Sequence, residues 1–516
     1  MPNTAWYRNL AVLWILVVLL PPLGLILFWM RRDSRLTTKM LSFLAATAFG
    51  LVHLFLFWGL RMEMDGSLTH PIFTFKNPRK HSAEIEKLRT EERSIDASQM
   101  RAPKPESTPG VSAIPATEPA PRPKPEVDRA YWSDFRGPGR NGIYAEGGIL
   151  TDWPSGKLPL LWKRPVGGGY ASAVVANGLI FTIEQRRNKE VVAAYALDSG
   201  REQWIHGWDA EFRETMGGDG PRATPTWHEG RLYALGAAGE LRCLDARSGS
   251  HIWSRNILQD NQVENINWGM AASPLIVDDK VIVLPGGPHG KSVVAYNRLT
   301  GNPIWKALDD RQAYTSPQLV TLAGRRQILI VSASRAIGLA VETGSLLWEY
   351  PWVTHEGINV AQPIVLTDNR FFISAGYDHG AALIEVFSKN GGYGARPVWQ
   401  NNRMKNKFSS SVLYEGYVYG FDEAVLACID PATGDLKWKG GRYGYGQLLL
   451  ASGYLVISSE SGEVVLVKAS AEGHQEIARF QAIEGKTWNV PVIAEGKLIV
   501  RNSTEMACFR IGPDTK

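Results

Sequence analysis

The chain has 516 residues, of which 44% are hydrophobic, and carries a formal net charge of +5 at pH 7. This charge is small for the length, and neither a recognition helix nor zinc-finger spacing is present, so we expect no nucleic-acid partner. The three cysteines include no adjacent pair and no Cys-x-x-Cys motif. Because Cys243, Cys428 and Cys508 occupy the same position of a repeat, they should lie far apart, and no disulfide is expected.

Two apolar runs near the N-terminus, residues 10–30 and 40–60, are each long enough to cross a bilayer. The short loop between them is basic, which marks the cytoplasmic side of a membrane. We therefore predict a transmembrane hairpin over residues 1–62, with the rest of the chain outside the cytoplasm. A cleaved signal peptide is the alternative, but no cleavage site follows the first run. The basic residues after the second run weigh against this orientation; they are Lys76, Arg79 and Lys80.

Residues 63–128 are predicted to form a linker without a core of its own. Its first part is charged, and a short helix is expected over residues 81–100. Its second part, residues 102–127, carries eight prolines that lie two to six residues apart. That composition favours a stiff, extended spacer, which we expect to hold the globular part away from the membrane.

A repeat organises the chain from residue 131 onward. Its clearest copy, residues 427–438, reads ACIDPATGDLKW: a strand, a tight turn with glycine, and a second strand with tryptophan. Related copies end at Trp204, Trp253, Trp305, Trp348 and Trp399, and a degenerate one ends at Phe480. Successive tryptophans lie about 40 to 50 residues apart, which is typical of a four-stranded propeller blade. We expect these tryptophans to act in packing rather than in chemistry.

The two ends of the repeat array predict how it closes. The last unit, residues 505–512, lacks a tryptophan strand, whereas residues 158–165 carry Trp162 on a strand without a preceding turn. Pairing these two strands in one blade removes the open sheet edges. Eight innermost strands can be counted, so we predict an all-β, eight-bladed β-propeller over residues 129–516, in preference to seven blades.

The repeat resembles the Ala-x-Asp-x-x-Thr-Gly-x-x-x-Trp "tryptophan docking" motif of the pyrroloquinoline-quinone (PQQ)-like β-propeller family. Residues 428–438 and 243–253 match best, and residues 295–305 replace the aspartate with Asn297. The resemblance covers about residues 132–512 and implies the propeller fold. With the apolar hairpin and the opening WSDFRGPGRNG, it is closest to bacterial membrane proteins, which implies the inner membrane with the propeller facing the periplasm or cell exterior.

The loops that enter the innermost strands should converge at one mouth of the central channel. They carry cations, flat aromatic rings and amides, which suit an anionic or planar small ligand or a protein partner. The predicted site residues are Arg222, Trp268, Tyr314, Asn359, Gln362, Arg403, Lys405, Lys407, Arg442, Tyr445, Gln447, Lys486, Trp488 and Asn489. The alternative is that these residues only cap strands and fill the mouth with solvated charge.

Two functions remain in competition at this point. The first is a non-enzymatic, membrane-anchored binding or scaffold module that uses the channel mouth. The second, implied by the resemblance, is a PQQ-dependent dehydrogenase of alcohols or sugars, which would bind PQQ with calcium and feed the respiratory chain. Family dehydrogenases usually carry adjacent cysteines over the quinone, and these are missing here. The carboxylates near the mouth, Asp219, Glu264 and Glu356, lie in no metal motif of the family. We therefore favour the first function and assign no catalytic or metal-binding residue.

Overall fold

The structure is a computed structural model, and it describes residues 36–55, 59–67, 69–75, 78–101 and 130–513, together with the single residues 12 and 26. The chain divides into two compact units, Met1–Ala83 and Glu84–Lys516. Each unit is described by itself below.

The first unit contains one helix and one β-hairpin. Helix α1 spans Leu36–His53, and strands β1 (Leu60–Met64) and β2 (Pro71–Phe75) pair antiparallel. The first predicted span, residues 10–30, lies outside the described residues. Helix α1 overlaps the second predicted span, residues 40–60. Among the residues that the structure describes, no helix combines the length and the apolar character needed to cross a bilayer.

Helix α2 spans Pro78–Arg101 and includes the predicted helix at residues 81–100. From Glu84 onward it belongs to the second unit. The proline-rich residues 102–129 lie outside the described part of the chain. Ala130 follows them and begins a strand of the second unit.

The second unit is an eight-bladed β-propeller, which confirms the predicted fold. The N-terminal strands are β3 (Ala130–Trp132), β4 (Ile143–Tyr144) and β5 (Leu160–Pro165). Blade 1 holds β6 (Val174–Ala176), β7 (Leu179–Arg186), β8 (Lys189–Ala196) and β9 (Glu202–Asp209). Blade 2 holds β10 (Thr226–His228), β11 (Arg231–Leu235), β12 (Glu240–Asp245) and β13 (His251–Asn256), followed by helix α3 (Ile257–Asn261). Blade 3 holds β14 (Leu275–Val277), β15 (Lys280–Val283), β16 (Val293–Asn297) and β17 (Pro303–Ala307).

The remaining blades repeat the same antiparallel order from the channel outward. Blade 4 holds β18 (Gln318–Leu322), β19 (Arg325–Val331), β20 (Arg335–Ala340) and β21 (Leu346–Pro351). Blade 5 holds β22 (Ile364–Thr367), β23 (Arg370–Ala375), β24 (Gly380–Lys389) and β25 (Gly392–Asn401). Blade 6 holds β26 (Val412–Tyr414), β27 (Tyr417–Asp422), β28 (Val425–Ile429) and β29 (Leu436–Arg442). Blade 7 holds β30 (Gln447–Ala451), β31 (Tyr454–Ser458), β32 (Glu463–Lys468) and β33 (Glu476–Gln481).

Blade 8 closes the ring as the sequence predicts. Its inner strands are β34 (Val492–Ala494), β35 (Lys497–Arg501) and β36 (Glu505–Arg510), and β5 supplies the outermost strand. Cys508 pairs directly with Trp162 across this seam. Cys243 and Cys428 face the tryptophans of blades 2 and 6 in the same way, and all three thiols are buried and unpaired.

Most docking tryptophans donate a hydrogen bond to a backbone carbonyl of the next blade. At the seam, Trp162 Nε1 donates a hydrogen bond to the carbonyl oxygen of Leu197 in blade 1, at 2.9 Å. The ring also covers Gly200 of the Thr-Gly-type turn, where φ is 67° and an added Cβ would lie 2.5 Å from the ring. Glycine is therefore required there both for its backbone conformation and for the close approach of the ring.

Two blades depart from this arrangement. In blade 4, Trp348 Nε1 donates to Gln327 Oε1 of its own blade, at 2.5 Å. In blade 7, Phe480 stands where the other blades have the docking tryptophan. Its ring packs edge-on against Trp153, with centroids 5.5 Å apart. The replacement of tryptophan by Phe480 explains why the motif is degenerate around residues 466–480.

The segment between β3 and β4 occupies the channel. Strand β3 pairs with β6 of blade 1, and β4 pairs with β30 of blade 7, both on the channel side. Two buried arginines lie between them: Arg136 Nη2 donates to the carbonyl of Ser411 at 2.9 Å, and Arg140 Nη1 donates to that of Pro317 at 2.7 Å. Burial lowers the pKa of Arg136 to about 10. Residues 130–144, named the plug here, pair with the C-terminal ends of the innermost strands, away from the mouth loops.

Candidate binding site at the channel mouth

The mouth rests on a belt of hydroxyl groups that joins the blades. The backbone N–H of Ser172 donates to Thr224 Oγ1, that of Thr224 to Ser273 Oγ, and that of Ser273 to Ser316 Oγ, at 3.0, 3.0 and 2.9 Å. Gln362 N continues the belt to Ser410 Oγ at 3.0 Å. The sequence signal is a small hydroxyl residue just before the innermost strand of blades 1, 2, 3, 4 and 6, and it sets the loops above it in register.

Above the belt, cations and aromatic rings form one continuous group, named the mouth cluster. Its members are Tyr170, Arg222, Tyr377, Lys407, Phe408, Tyr445, Lys486 and Trp488. They come from blades 1, 2, 5, 6, 7 and 8. The cluster therefore brings together residues that are up to about 320 positions apart in sequence.

The first half of the mouth cluster surrounds Lys486 and Arg222. The Nζ atom of Lys486 lies 4.2 Å from the ring centroid of Trp488 and 5.6 Å from that of Tyr170. The guanidinium of Arg222 faces the other end of the group, 5.6 Å from Tyr170 and 4.8 Å from Phe212. Burial lowers the pKa of Arg222, although several nearby acidic groups oppose this effect. Cation–π contacts of this kind contribute about 0.5–2 kcal/mol each.

The second half surrounds Lys407. Its Nζ lies 4.8 Å from the ring of Tyr377, 5.1 Å from Tyr445 and 5.5 Å from Phe408. Phe408 joins the two halves, because its ring packs 4.8 Å from that of Trp488. Lys407 and Lys486 are only 8% and 4% exposed, so both ammonium groups are held among rings rather than in open solvent.

Trp268 and Tyr314 form a neighbouring aromatic pair from blades 3 and 4. Their centroids lie 5.7 Å apart in an edge-on arrangement, and burial raises the pKa of Tyr314 to about 12. Trp268 contacts Gly217, whose carbonyl oxygen lies 3.5 Å from Lys486 Nζ. This pair therefore borders the mouth cluster on the Arg222 side.

The predicted amides are buried and mainly hold the loops in place. Asn489 Nδ2 donates to the carbonyl of Ala171 at 2.8 Å, and Asn359 Nδ2 donates to that of Ser332 at 2.8 Å. Gln447 Nε2 donates to the carbonyl of Phe408 at 2.8 Å. Gln362 exchanges two hydrogen bonds with the backbone of Ser316. For these four residues, the contacts agree with the alternative interpretation from the sequence, in which the side chains only cap strands and hold loops.

Three predicted cations stand outside the mouth cluster. Arg403 and Arg442 are exposed, and Arg442 is the last residue of the outermost strand β29. Lys405 Nζ pairs with Asp378 at 3.5 Å, and its backbone N–H donates to Asp422. Position in a mouth loop is thus not enough to place a side chain in the cluster.

Several residues of the mouth were missed by sequence reasoning. Tyr170 and Phe408 lie in loops that the sequence placed at the mouth, but neither was among the predicted site residues. Tyr377, Glu423 and Glu460 lie in turns between second and third strands. Antiparallel order returns the second strand to the mouth, so these turns could have been included.

The mouth carboxylates are engaged with aromatic side chains rather than grouped with one another. Glu460 Oε1 accepts a hydrogen bond from Trp488 Nε1 at 2.9 Å, and Glu423 Oε2 accepts one from the hydroxyl of Tyr445 at 3.1 Å. A calcium ion requires about six to eight oxygen ligands, with carboxylates among them. In the described ranges, no three His, Cys, Asp or Glu residues form a set that could hold a metal. The cations could meet a quinone's carboxylates, but the residues do not fit the quinone–calcium pair.

Comparison with known families identifies the type of repeat in the propeller. The family model described as outer membrane protein assembly factor BamB, a PQQ-like repeat model, matches residues 187–440. The chain carries the PQQ-like β-propeller repeat that this model describes. The recognition made from the docking motif is therefore confirmed, and the match covers blades 2 to 5 completely.

Curated relatives of this PQQ-like propeller fall into two functional groups. It is 25% identical over 296 residues to the outer membrane protein assembly factor BamB of Burkholderia pseudomallei, covering 54% of this chain and 69% of that protein. It is 24% identical over 168 residues to the quinohemoprotein alcohol dehydrogenase ADH-IIG of Pseudomonas putida, covering 30% of this chain. That alignment spans only 22% of the dehydrogenase's length.

Solved structures show the same fold. BamB from Moraxella catarrhalis superposes with a TM-score of 0.50 at 16% identity, covering 70% of this chain and 99% of that one. A europium-containing methanol dehydrogenase gives a TM-score of 0.52 at 13% identity, covering 72% and 89%. At these identities the likeness extends to the propeller and not to the chemistry at its mouth.

Proposed function

We propose that this protein is a non-enzymatic, membrane-attached binding module that receives an acidic segment of a protein partner at the channel mouth. The mouth cluster is the observation that carries the proposal. It gathers the cations Arg222, Lys407 and Lys486 among aromatic rings at one end of the channel, while the plug fills the channel from the other side. Arginine and rigid aromatic rings are typical anchors of protein interfaces.

Two comparisons support a protein partner over a small substrate. The family model and the longer curated alignment both carry the description of an assembly factor, and the dehydrogenase alignments are short. The carboxylates at the mouth are bonded to Tyr445 and Trp488 and are not arranged as a metal set. An acidic segment would find charge complementarity there, which favours specificity and fast association.

The membrane attachment is proposed from the sequence. The apolar runs at residues 10–30 and 40–60 enclose a basic loop, which favours two spans with the propeller on the periplasmic or exterior side of a bacterial inner membrane. Retention of the full-length protein in membranes after an alkaline wash supports this attachment. Release into the supernatant would refute it.

Photocrosslinking in cells tests the partner directly. A benzophenone side chain placed at Trp268 or Phe408 should give a discrete crosslinked protein. The matched control is Ile304, an exposed side chain on the outermost strand β17, 40% accessible, where no such product is expected. Equal products at Ile304 and at the mouth positions would show that the mouth is not the binding site.

A further inference from the structure

The hairpin β1–β2 of the first unit has two chemically different faces. Antiparallel pairing sets Met62 directly opposite Phe73, and Met64 opposite Pro71, on one face. Glu63 and Ile72 pair on the other face. Met62 and Phe73 are each 62% exposed, so the centre of the apolar face is open.

The tip of the hairpin is polar and tightly bonded. The Ser67 hydroxyl donates to Asp65 Oδ1 at 2.6 Å, and His70 Nδ1 lies 3.3 Å from Asp65 Oδ2. The backbone N–H of Asp65 donates to the carbonyl of His70 at 3.1 Å, which closes the turn. The tip is therefore polar and suited to solvent, whereas the Met62–Phe73 face is apolar.

A two-stranded hairpin is marginally stable at best in water, so an open apolar face needs a cover. In the described part of the chain, these two strands form a sheet of their own. Strand β1 begins at Leu60, which is the last residue of the apolar run at residues 40–60. No residue separates the run from the hairpin, so a bilayer that holds the run is also next to the hairpin.

Charge after the hairpin points to the same surface. Lys76, Arg79 and Lys80 follow β2 within five residues, with no acidic residue among them. Apolar side chains beside basic ones are the pattern by which peripheral segments bind lipid interfaces with anionic headgroups.

We propose that the hairpin β1–β2 lies on the bilayer surface, with its Met62–Phe73 face inserted among lipids with anionic headgroups. This inference rests on the proposed membrane attachment and adds a second, interfacial contact to it. The polar tip stays in the headgroup region, and the positive charge that follows β2 in the sequence adds attraction to anionic headgroups. The hairpin would then fix the level at which the chain leaves the membrane.

Fluorescence in vesicles tests the inference on the full-length protein. Single substitutions Met62→Cys and Phe73→Cys carry an environment-sensitive label, and Glu63→Cys on the opposite face is the control. The native Cys243, Cys428 and Cys508 are fully buried, so labelling is directed to the new thiol. In vesicles of phosphatidylcholine and phosphatidylglycerol, labels at positions 62 and 73 should shift to shorter wavelength and be quenched by spin-labelled lipid. The label at position 63 should be quenched by aqueous iodide.

The outcomes separate the two proposals. If the protein stays with the vesicles after an alkaline wash but all three labels are quenched by iodide, the attachment stands and the hairpin inference is wrong. If the protein washes off, the attachment itself fails. Disulfide formation between two Phe73→Cys chains would show that a second copy covers the face instead. A shift of equal size in phosphatidylcholine alone would refute the role of the basic residues.

Discussion

Arg89 Nε lies 2.5 Å from Glu202 Oε1, which ties helix α2 to the outermost strand of blade 1. The same helix reaches blade 8, because Arg164 Nη1 donates to Glu92 Oε1 at 3.3 Å. Arg201 Nη2 donates to the backbone carbonyl of Glu92 at 2.8 Å. Helix α2 therefore bridges blade 8 and blade 1, beside the seam at which the ring closes.

The contacts of helix α2 with the propeller concern the proline-rich segment that follows this helix in the chain. Residues 84–92 already touch the propeller before the prolines begin, and Ala130 lies in the channel after them. Residues 102–129 are thus preceded and followed by residues of the same unit, and the expected spacer between membrane and propeller stays a prediction.

Removing the Arg89 side chain should weaken the attachment of helix α2 to blade 1. In Arg89→Ala, the free energy of unfolding should fall by about 1–3 kcal/mol, because Glu202 is almost buried and loses one of two cationic partners. Lys87→Ala on the same helix removes an exposed pair with Glu91 and should change stability by less than about 0.5 kcal/mol. Denaturant unfolding measures both, and equal effects would show that the contact between Arg89 and Glu202 does not stabilise the fold.

Removing the docking tryptophan of the seam should be more damaging. Trp162→Ala should cost about 3–5 kcal/mol, because it leaves a cavity over Gly200 and removes the hydrogen bond to Leu197. Trp268→Ala is the control of equal size change, since that ring lies at the mouth and should affect binding more than stability. Thermal unfolding compares them. A larger loss for Trp268→Ala would contradict the packing role assigned to the docking motif.

Glu190 gives the propeller a pH dependence. Its carboxylate lies at the blade 1–blade 2 interface and accepts hydrogen bonds from Ala237 N and Trp208 Nε1, at 2.8 and 3.1 Å. Burial raises the pKa of Glu190 to about 7, whereas it should be about 4.3 in the unfolded chain. The folded state therefore binds the proton more tightly, and stability is lost as pH rises between these two values.

The variant Glu190→Gln should remove this dependence. Between pH 4 and pH 8, the unfolding free energy of the wild type relative to the variant should fall by about 3 kcal/mol. Glu472→Gln, at an exposed position, is the control and should follow the wild type. A constant difference between wild type and Glu190→Gln across this range would show that Glu190 is ionised in the folded state throughout.

Much of the fold followed from local sequence because each blade repeats one physical unit. The orphan strand with Trp162 predicted the closure, and the Thr-Gly turns predicted the docking sites. The plug was not predicted, since Arg136 and Arg140 satisfy their donors with backbone carbonyls, which leave no sequence pattern. The contact between Arg89 and Glu202 was not predicted, because a charged helix is usually expected to face solvent.

The candidate site was only partly predictable for a geometric reason. A loop's place at the mouth follows from strand order, but the direction of each side chain depends on local backbone. Lys407 and Lys486 turn into the aromatic rings, whereas Arg403 and Arg442 in similar loops stay exposed.

A quinone titration separates the binding module from the dehydrogenase. Pyrroloquinoline quinone with Ca²⁺ should give no saturable change in absorbance and no thermal shift, because the residues that the structure describes include no carboxylate set to hold the ion. Omitting Ca²⁺ should make no difference. Saturable binding at micromolar levels that is lost in Lys407→Ala/Lys486→Ala would instead support the quinoprotein function.

The most direct test of the account is the yield of the partner crosslink from Phe408 when charge is removed from the mouth. Lys407→Gln/Lys486→Gln removes two cations from the mouth cluster, and Arg403→Gln/Arg442→Gln removes two exposed cations outside it. We predict that the first pair loses at least about tenfold of the crosslinked product, equivalent to about 1.4 kcal/mol of binding free energy, while the second pair retains it. Equal yields from both pairs would contradict the assignment of the mouth cluster as the partner site.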